Sequence, residues 1–277
     1  EAAVRAELGK PSGIIYQSDL FPMLELDASG LGVSDLAGIE YCVSLETLVL
    51  NTNQIADISP LMGLTNLKRL ELNDNLVGDL SAVGALRQLT DLYLRNNQVT
   101  DISAVAALSL LNNLLISGNT VSDISAVAGL NALLNFEAMN NSITDLTPLS
   151  GLTNLMYLFL NNNGISDIGP IAGMTGLRYL YLDLNQITNL GALSALPNLQ
   201  ELALRYNQIV DLSALSTLPS LAVVRLDNNQ IVDVSPLVAN GGIASGDEVW
   251  LRNNPLSNES ITVHIPALEA RGVTVEF

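Results

Sequence analysis

Four aromatic residues recur at spacings of two and twenty-two: Tyr157 and Phe159, then Tyr179 and Tyr181. A spacing of two puts side chains on one side of a strand. Twenty-two is also the internal period of the chain, so strands stacked at that period would gather the four rings on one surface. Tyr93 and Trp250 occupy equivalent places, and Tyr206 lies nearby at the strand edge. Asp183, Arg205, Arg225 and Arg252 are interleaved with them. These residues recognise rather than react, and aromatic rings with arginine are the composition of protein-binding hot spots. The alternative ligand is a glycan, with rings beside Asp183, Asp227 and Asn161 stacking on sugars. Nothing else obliges outward strand positions to carry rings, although cross-strand aromatic pairs can also serve the sheet itself.

Covalent chemistry is poorly provided for. Cys42 is the only cysteine and His264 the only histidine, and the sequence places them far apart. They form no Cys–His dyad and no histidine-rich metal set. Cys42 falls at a core position and reads as a small buried apolar residue. His264 reads as a cap residue. Carboxylates such as Glu71 and Asp91 meet only on open strands, without the dry setting that acid–base work needs. The chain is therefore read as non-catalytic, without cofactor or metal.

The elements that must position the rings follow from the repeat. Its form is L-x-x-L-x-L-x-x-N-x-I-x-D-I-S-x-L-x-x-L-x-x, and it runs nine times without insertion, from Leu45 to the unit that begins at Leu221. A strict period of this length means a solenoid, each unit burying its apolar face against its neighbours. In the unit that starts at Leu155, residues 157–161 alternate as a strand, with Leu158 and Leu160 inward. Side chains two, four and six places after each first leucine point away from the core. Six of the twelve aromatics lie in these columns. Leu115, Met139 and Leu184 are expected to extend the apolar area.

An asparagine ends every strand from Asn53 to Asn254. Its amide both donates and accepts, so it is expected to bond the backbone of its own unit and of the next. An aspartate ladder, Asp35 to Asp233 with Asn189 as the exception, reads as a cap for a short helical turn. Calcium bridging neighbouring layers is the rival reading. Twenty-two residues leave room only for 3₁₀ turns on the return.

Residues 1–22 read as an N-terminal cap, with a helix over 1–8 stopped by Gly9. Residues 23–256 make eleven repeats, the first degenerate and the one from Leu221 lengthened to 25 residues. Residues 257–277 read as a C-terminal cap: a helix over 257–270, Gly272 as its stop, and Val273, Val275 and Phe277 alternating as a final edge strand. The whole is read as one continuous domain.

The formal net charge is −17, which argues against nucleic acid and anionic membranes. No run of eighteen apolar residues is present, so membrane insertion is not expected. A single cysteine forbids an intrachain disulfide.

The LxxLxLxxN strand and the turn Asn53-Gln54-Ile55-Ala56-Asp57-Ile58-Ser59-Pro60-Leu61 resemble the 22-residue class of leucine-rich repeat proteins. Internalin-type surface proteins of bacteria and the nuclear regulator of protein phosphatase 1 are similar. The resemblance covers residues 23–256. It implies an α/β solenoid, a leucine-rich repeat horseshoe with a parallel concave sheet, short 3₁₀ helices on the convex side and caps at both ends. It implies a monomer that binds a protein ligand on the concave face, and a secreted or cell-surface bacterial location. The alternative is a carbohydrate-binding or adhesion module of a bacterial surface protein.

Overall fold

A computed structural model describes all 277 residues. They fall into two compact units, Glu1–Asn135 and Phe136–Phe277.

In the first unit, strands Glu25–Asp27, Thr47–Val49, Arg69–Glu71, Asp91–Tyr93 and Asn113–Leu115 lie parallel in chain order. Their register is the period itself: Thr47 faces Arg69, Arg69 faces Asp91, and Asp91 faces Asn113. The middle residue of each strand (Leu26, Leu48, Leu70, Leu92, Leu114) is buried. The return of each layer is a 3₁₀ helix such as Ser59–Gly63 or Ser103–Ala107. The N-terminal cap lies loosely over the first layer. Its helices, Ala2–Glu7 and Gln17–Leu20, bury no residue. An apolar recess of about 340 Å³ remains between Val4, Leu20, Leu36 and Cys42. Gly9 leaves the helix at φ +58°, a conformation that a glycine adopts freely.

The second unit repeats the plan. Strands Tyr157–Phe159, Tyr179–Tyr181, Glu201–Ala203, Val223–Arg225, Glu248–Trp250 and Thr274–Glu276 follow one another in parallel. Phe136 is fully buried where other layers have leucine or valine, and Ala138, two places on, supplies the compensating small side chain. The lengthened layer returns through a true α-helix, Ser235–Ala239, before Asn240. Asn240 is buried and donates to the Leu215 and Leu218 carbonyls at 2.7 and 3.0 Å. The C-terminal helix spans 258–269, with a π turn over Ser260–His264. Thr274–Glu276 then pairs with Glu248–Trp250. Val273 is buried, and Phe277, one residue past the end of this strand, is exposed.

The asparagine column works as its chemistry requires, with one correction. Asn185 Nδ2 donates to Leu182 O and Asp183 O of its own layer, at 3.1 and 3.2 Å. It also donates to Leu160 O at 3.0 Å, while its Oδ1 accepts Ile165 N–H at 3.0 Å. Both of the latter belong to the preceding layer, not the following one. The side chain leans back because the residue before it has turned to positive φ. That place holds Thr52, Asp74, Asn96, Asn140, Asn162, Leu184, Tyr206, Asn228 and Asn253, with Gly118 in the remaining layer.

The aspartates form Asx turns. Asp57 Oδ1 accepts Ser59 N–H at 2.8 Å, Asp101 Oδ1 accepts Ser103 N–H at 2.7 Å, and Asn189 does the same for Gly191. The helix N-cap is the next residue, Ile58 in the first case, so the aspartate sits one place ahead of the position expected for it. The same bond recurs from Asp35 to Asp233. Each ladder carboxylate is thus occupied by its own turn.

Candidate binding face

The register of the second unit sets Tyr157 opposite Tyr179 and Phe159 opposite Tyr181. Parallel strands about 4.8 Å apart leave just the spacing at which rings stack. Tyr157 and Tyr179 lie with centroids 4.9 Å apart and planes 6° apart. Phe159 and Tyr181 lie 4.6 Å apart, tilted by 38°. Tyr157 meets Phe159 edge-on at 6.4 Å. All four are half-buried, and the stacked rings cover part of one another.

Around the block the charges are spoken for. Tyr181 donates its hydroxyl to Glu201 Oε1 at 2.7 Å, and Arg225 Nη1 donates to the same oxygen. Burial, then the Glu201 bond, pushes the Tyr181 hydroxyl pKa up. Arg205 holds Asp183 Oδ2 through Nη2 and Nε at 2.7 and 3.0 Å. Asp183 Oδ1 accepts Arg205 N–H at 2.7 Å. Arg252 donates to Glu276 at 2.7 Å and lies 5.7 Å from the centre of the Trp250 ring. The Trp250 indole reaches Glu248 only at 3.3 Å. The three arginines are therefore neutralised in place instead of standing as free cations.

Tyr206 sits at the strand end, 53% exposed, with Leu184 in the same place one layer before, 49% exposed. Leu115 does not extend the apolar area as expected, since it is only 6% exposed. Tyr93 belongs to the first unit. There the Arg69 guanidinium lies 4.9 Å from its ring centre, its hydroxyl makes a long 3.3 Å bond to Asp91, and Arg69 pairs with Glu71. Glu201 falls on an outward strand place, twenty-two residues after Tyr179, but its bonds to Tyr181 and Arg225 were not foreseen from the sequence.

Elsewhere, Cys42 is buried, and burial raises its thiol pKa. His264 Nδ1 is 3.5 Å from Asp233 Oδ1 in the C-terminal cap. No three His, Cys, Asp or Glu side chains cluster as metal ligands. No helix is long and apolar enough to cross a membrane.

A family model described as leucine-rich repeats in two copies matches residues 43–84, 65–109, 153–196 and 197–239. Among solved structures, an internalin (InlF) of Listeria monocytogenes is 32% identical, with a TM-score of 0.86; the match covers 99% of this chain and 86% of that one. Internalin C2 of the same organism is also 32% identical, with a TM-score of 0.51 and coverage of 92% and 91%. The plant peptide hormone receptor RGFR1, solved in complex with RGF2, shares the fold at 20% identity. Its TM-score is 0.73, and the match spans 87% of this chain and 41% of that one. No curated protein sequence matches the chain.

Proposed function

Because this chain belongs to the leucine-rich repeat family, we propose that it is a non-catalytic interaction module that binds a protein ligand on its sheet face. The ligand docks over Tyr157, Phe159, Tyr179 and Tyr181, with Tyr206 and Trp250 at the margin. The observation that carries this reading is the block of four half-buried rings on outward strand positions whose core-facing neighbours already fill the interior. Large aromatics gathered on an outer face mark interaction sites more often than they mark sheet stability. Arg205, Arg225 and Arg252, tied to carboxylates, keep the block's surroundings rigid and present guanidinium edges to the ligand.

The glycan alternative is weaker on this geometry. Sugar stacking needs an open ring face, and in each pair one ring covers a face of the other. A plant receptor of the same fold, in complex with RGF2, is consistent with a polypeptide ligand.

Panning a displayed library of random linear peptides on the intact chain, with Tyr179→Ala/Tyr181→Ala as counter-target, tests the reading. Recovered peptides are expected to bind the double variant at least about tenfold more weakly, the size of a hot-spot loss. Peptides indifferent to the double variant, or binding confined to a glycan array, contradict it.

A further inference from the structure

The place just before each strand-ending asparagine is a demanding one. Its φ lies between +54° and +59° in every layer that has a side chain there. In this region the Cβ crowds the following carbonyl, and only glycine, asparagine and aspartate enter readily. Most layers obey: Asp74, Asn96, Asn140, Asn162, Asn228 and Asn253. Three layers do not: that of Thr52 in the first unit, at φ +57°, and two adjacent layers in the second. Leu184 stands at φ +57° and Tyr206 at φ +55°.

Neither side chain is part of the buried core, and both are about half exposed. They also interrupt a ladder that runs on both sides of them. Asn162 Nδ2 donates to Asn140 Oδ1 at 2.9 Å, and Asn253 Nδ2 donates to Asn228 Oδ1 at 3.0 Å. An asparagine in each of the two places would relieve the backbone and could continue the ladder. Strain kept by side chains outside the core points to a functional position.

The two layers are those of Tyr181, Asp183 and Arg205. Leu184 N–H donates to Arg205 O at 2.8 Å, so the two apolar side chains stand next to each other along the end of the strands. They form a ridge at the margin of the aromatic block. The three arginines near this margin are neutralised by Asp183, Glu201 and Glu276, while the chain as a whole carries −17. The field at the ridge therefore favours cationic groups, and it repels a second copy of the chain.

We propose that Leu184 and Tyr206 are a strained apolar ridge kept for binding, and that its occupant is a polypeptide segment with apolar side chains flanked by lysine or arginine. This rests on the reading of the aromatic block as a ligand site, and adds to it the chemistry of the ligand. It also makes a statement about stability: the ridge lowers the stability of the free chain, and the ligand recovers the loss.

The test compares three forms of the full chain: wild type, Leu184→Asn/Tyr206→Asn and Tyr179→Ala/Tyr181→Ala. Peptides recovered by panning on wild type are titrated against each, and each form is melted. The expected peptides are apolar and basic, and bind more weakly as salt rises. On Leu184→Asn/Tyr206→Asn they lose about tenfold or more in affinity, while that variant melts about 2–4 °C higher than wild type. Unchanged affinity overturns the proposal, and so does a lower melting point, which would make the two residues part of the fold. Acidic peptides, or a wild-type dimer in sedimentation that the variant lacks, would assign the ridge a different occupant and overturn it as well. The two readings fail separately. Affinity that depends on Tyr179 and Tyr181 but not on Leu184 and Tyr206 removes the ridge and leaves the aromatic block. Affinity indifferent to both pairs removes both.

Discussion

At the scale of single residues, the asparagine column shows how a polar side chain earns a buried place. Asn185 is only 8% exposed, yet its amide nitrogen serves three carbonyls and its oxygen serves the Ile165 N–H. Replacing it by alanine leaves buried donors and acceptors without partners in two layers. The expected loss is about 2–4 kcal/mol, from more than one orphaned group at about 1–3 kcal/mol each. Urea unfolding measures it; a loss under about 1 kcal/mol would mean that water replaces the amide. The need for an amide was readable from the recurrence of Asn alone. Its direction was not, because the lean toward the preceding layer depends on the positive φ of the residue before it, and pattern does not carry φ. The same blind spot hid Leu184 and Tyr206, which look like ordinary surface residues until the backbone is seen.

At the scale of elements, the repeat dictates nearly everything. Strands of three residues and 3₁₀ returns follow from twenty-two residues with an apolar alternation, an asparagine and an Asx turn. The departures fall where the period breaks. The layer from Leu221 has an α-helical return and the buried Asn240, neither of which periodicity could supply. Gly242 closes that return against the preceding layer: a Cβ there would come within 2.4 Å of Pro219 O. Backbone cannot yield as a side chain can. Gly242→Ala is therefore expected to destabilise by about 1–3 kcal/mol, the usual cost of overpacking. Gly241→Ala, with open space around its Cβ, is the control and should be near neutral. Equal effects in the two variants would contradict this account of the bend.

At the scale of the whole molecule, charge matters more than any one contact. The chain carries −17, and its aspartates are tied to the turns that start the 3₁₀ helices. The backbone N–H of Ser59 and of Ser235 lowers the pKa of Asp57 and Asp233, and the hydroxyls of Ser81 and Thr147 lower those of Asp79 and Asp145. A carboxylate with a depressed folded pKa contributes stability that is present above its unfolded value. That contribution is lost as the pH falls through the folded one. Stability is thus expected to hold at neutral pH and to decline as the pH drops below about 4, the ordinary aspartate range. Melting between pH 7 and pH 2.5 measures this, and a rising midpoint on acidification would contradict it. The position of the four rings was legible at this scale too, because two periods, two and twenty-two, intersect there. Their stacking and the pairing of Arg205, Arg225 and Arg252 were not, since both depend on side-chain conformation. The central claim is that these rings serve a ligand more than they serve the sheet. Measuring unfolding free energy and peptide affinity together on Tyr179→Ala/Tyr181→Ala tests it most directly. The account predicts a stability loss of about 1–3 kcal/mol, the worth of two ring pairs, with affinity down at least about tenfold. A loss of about 5 kcal/mol or more, the scale of core truncation, with affinity unchanged, would contradict it.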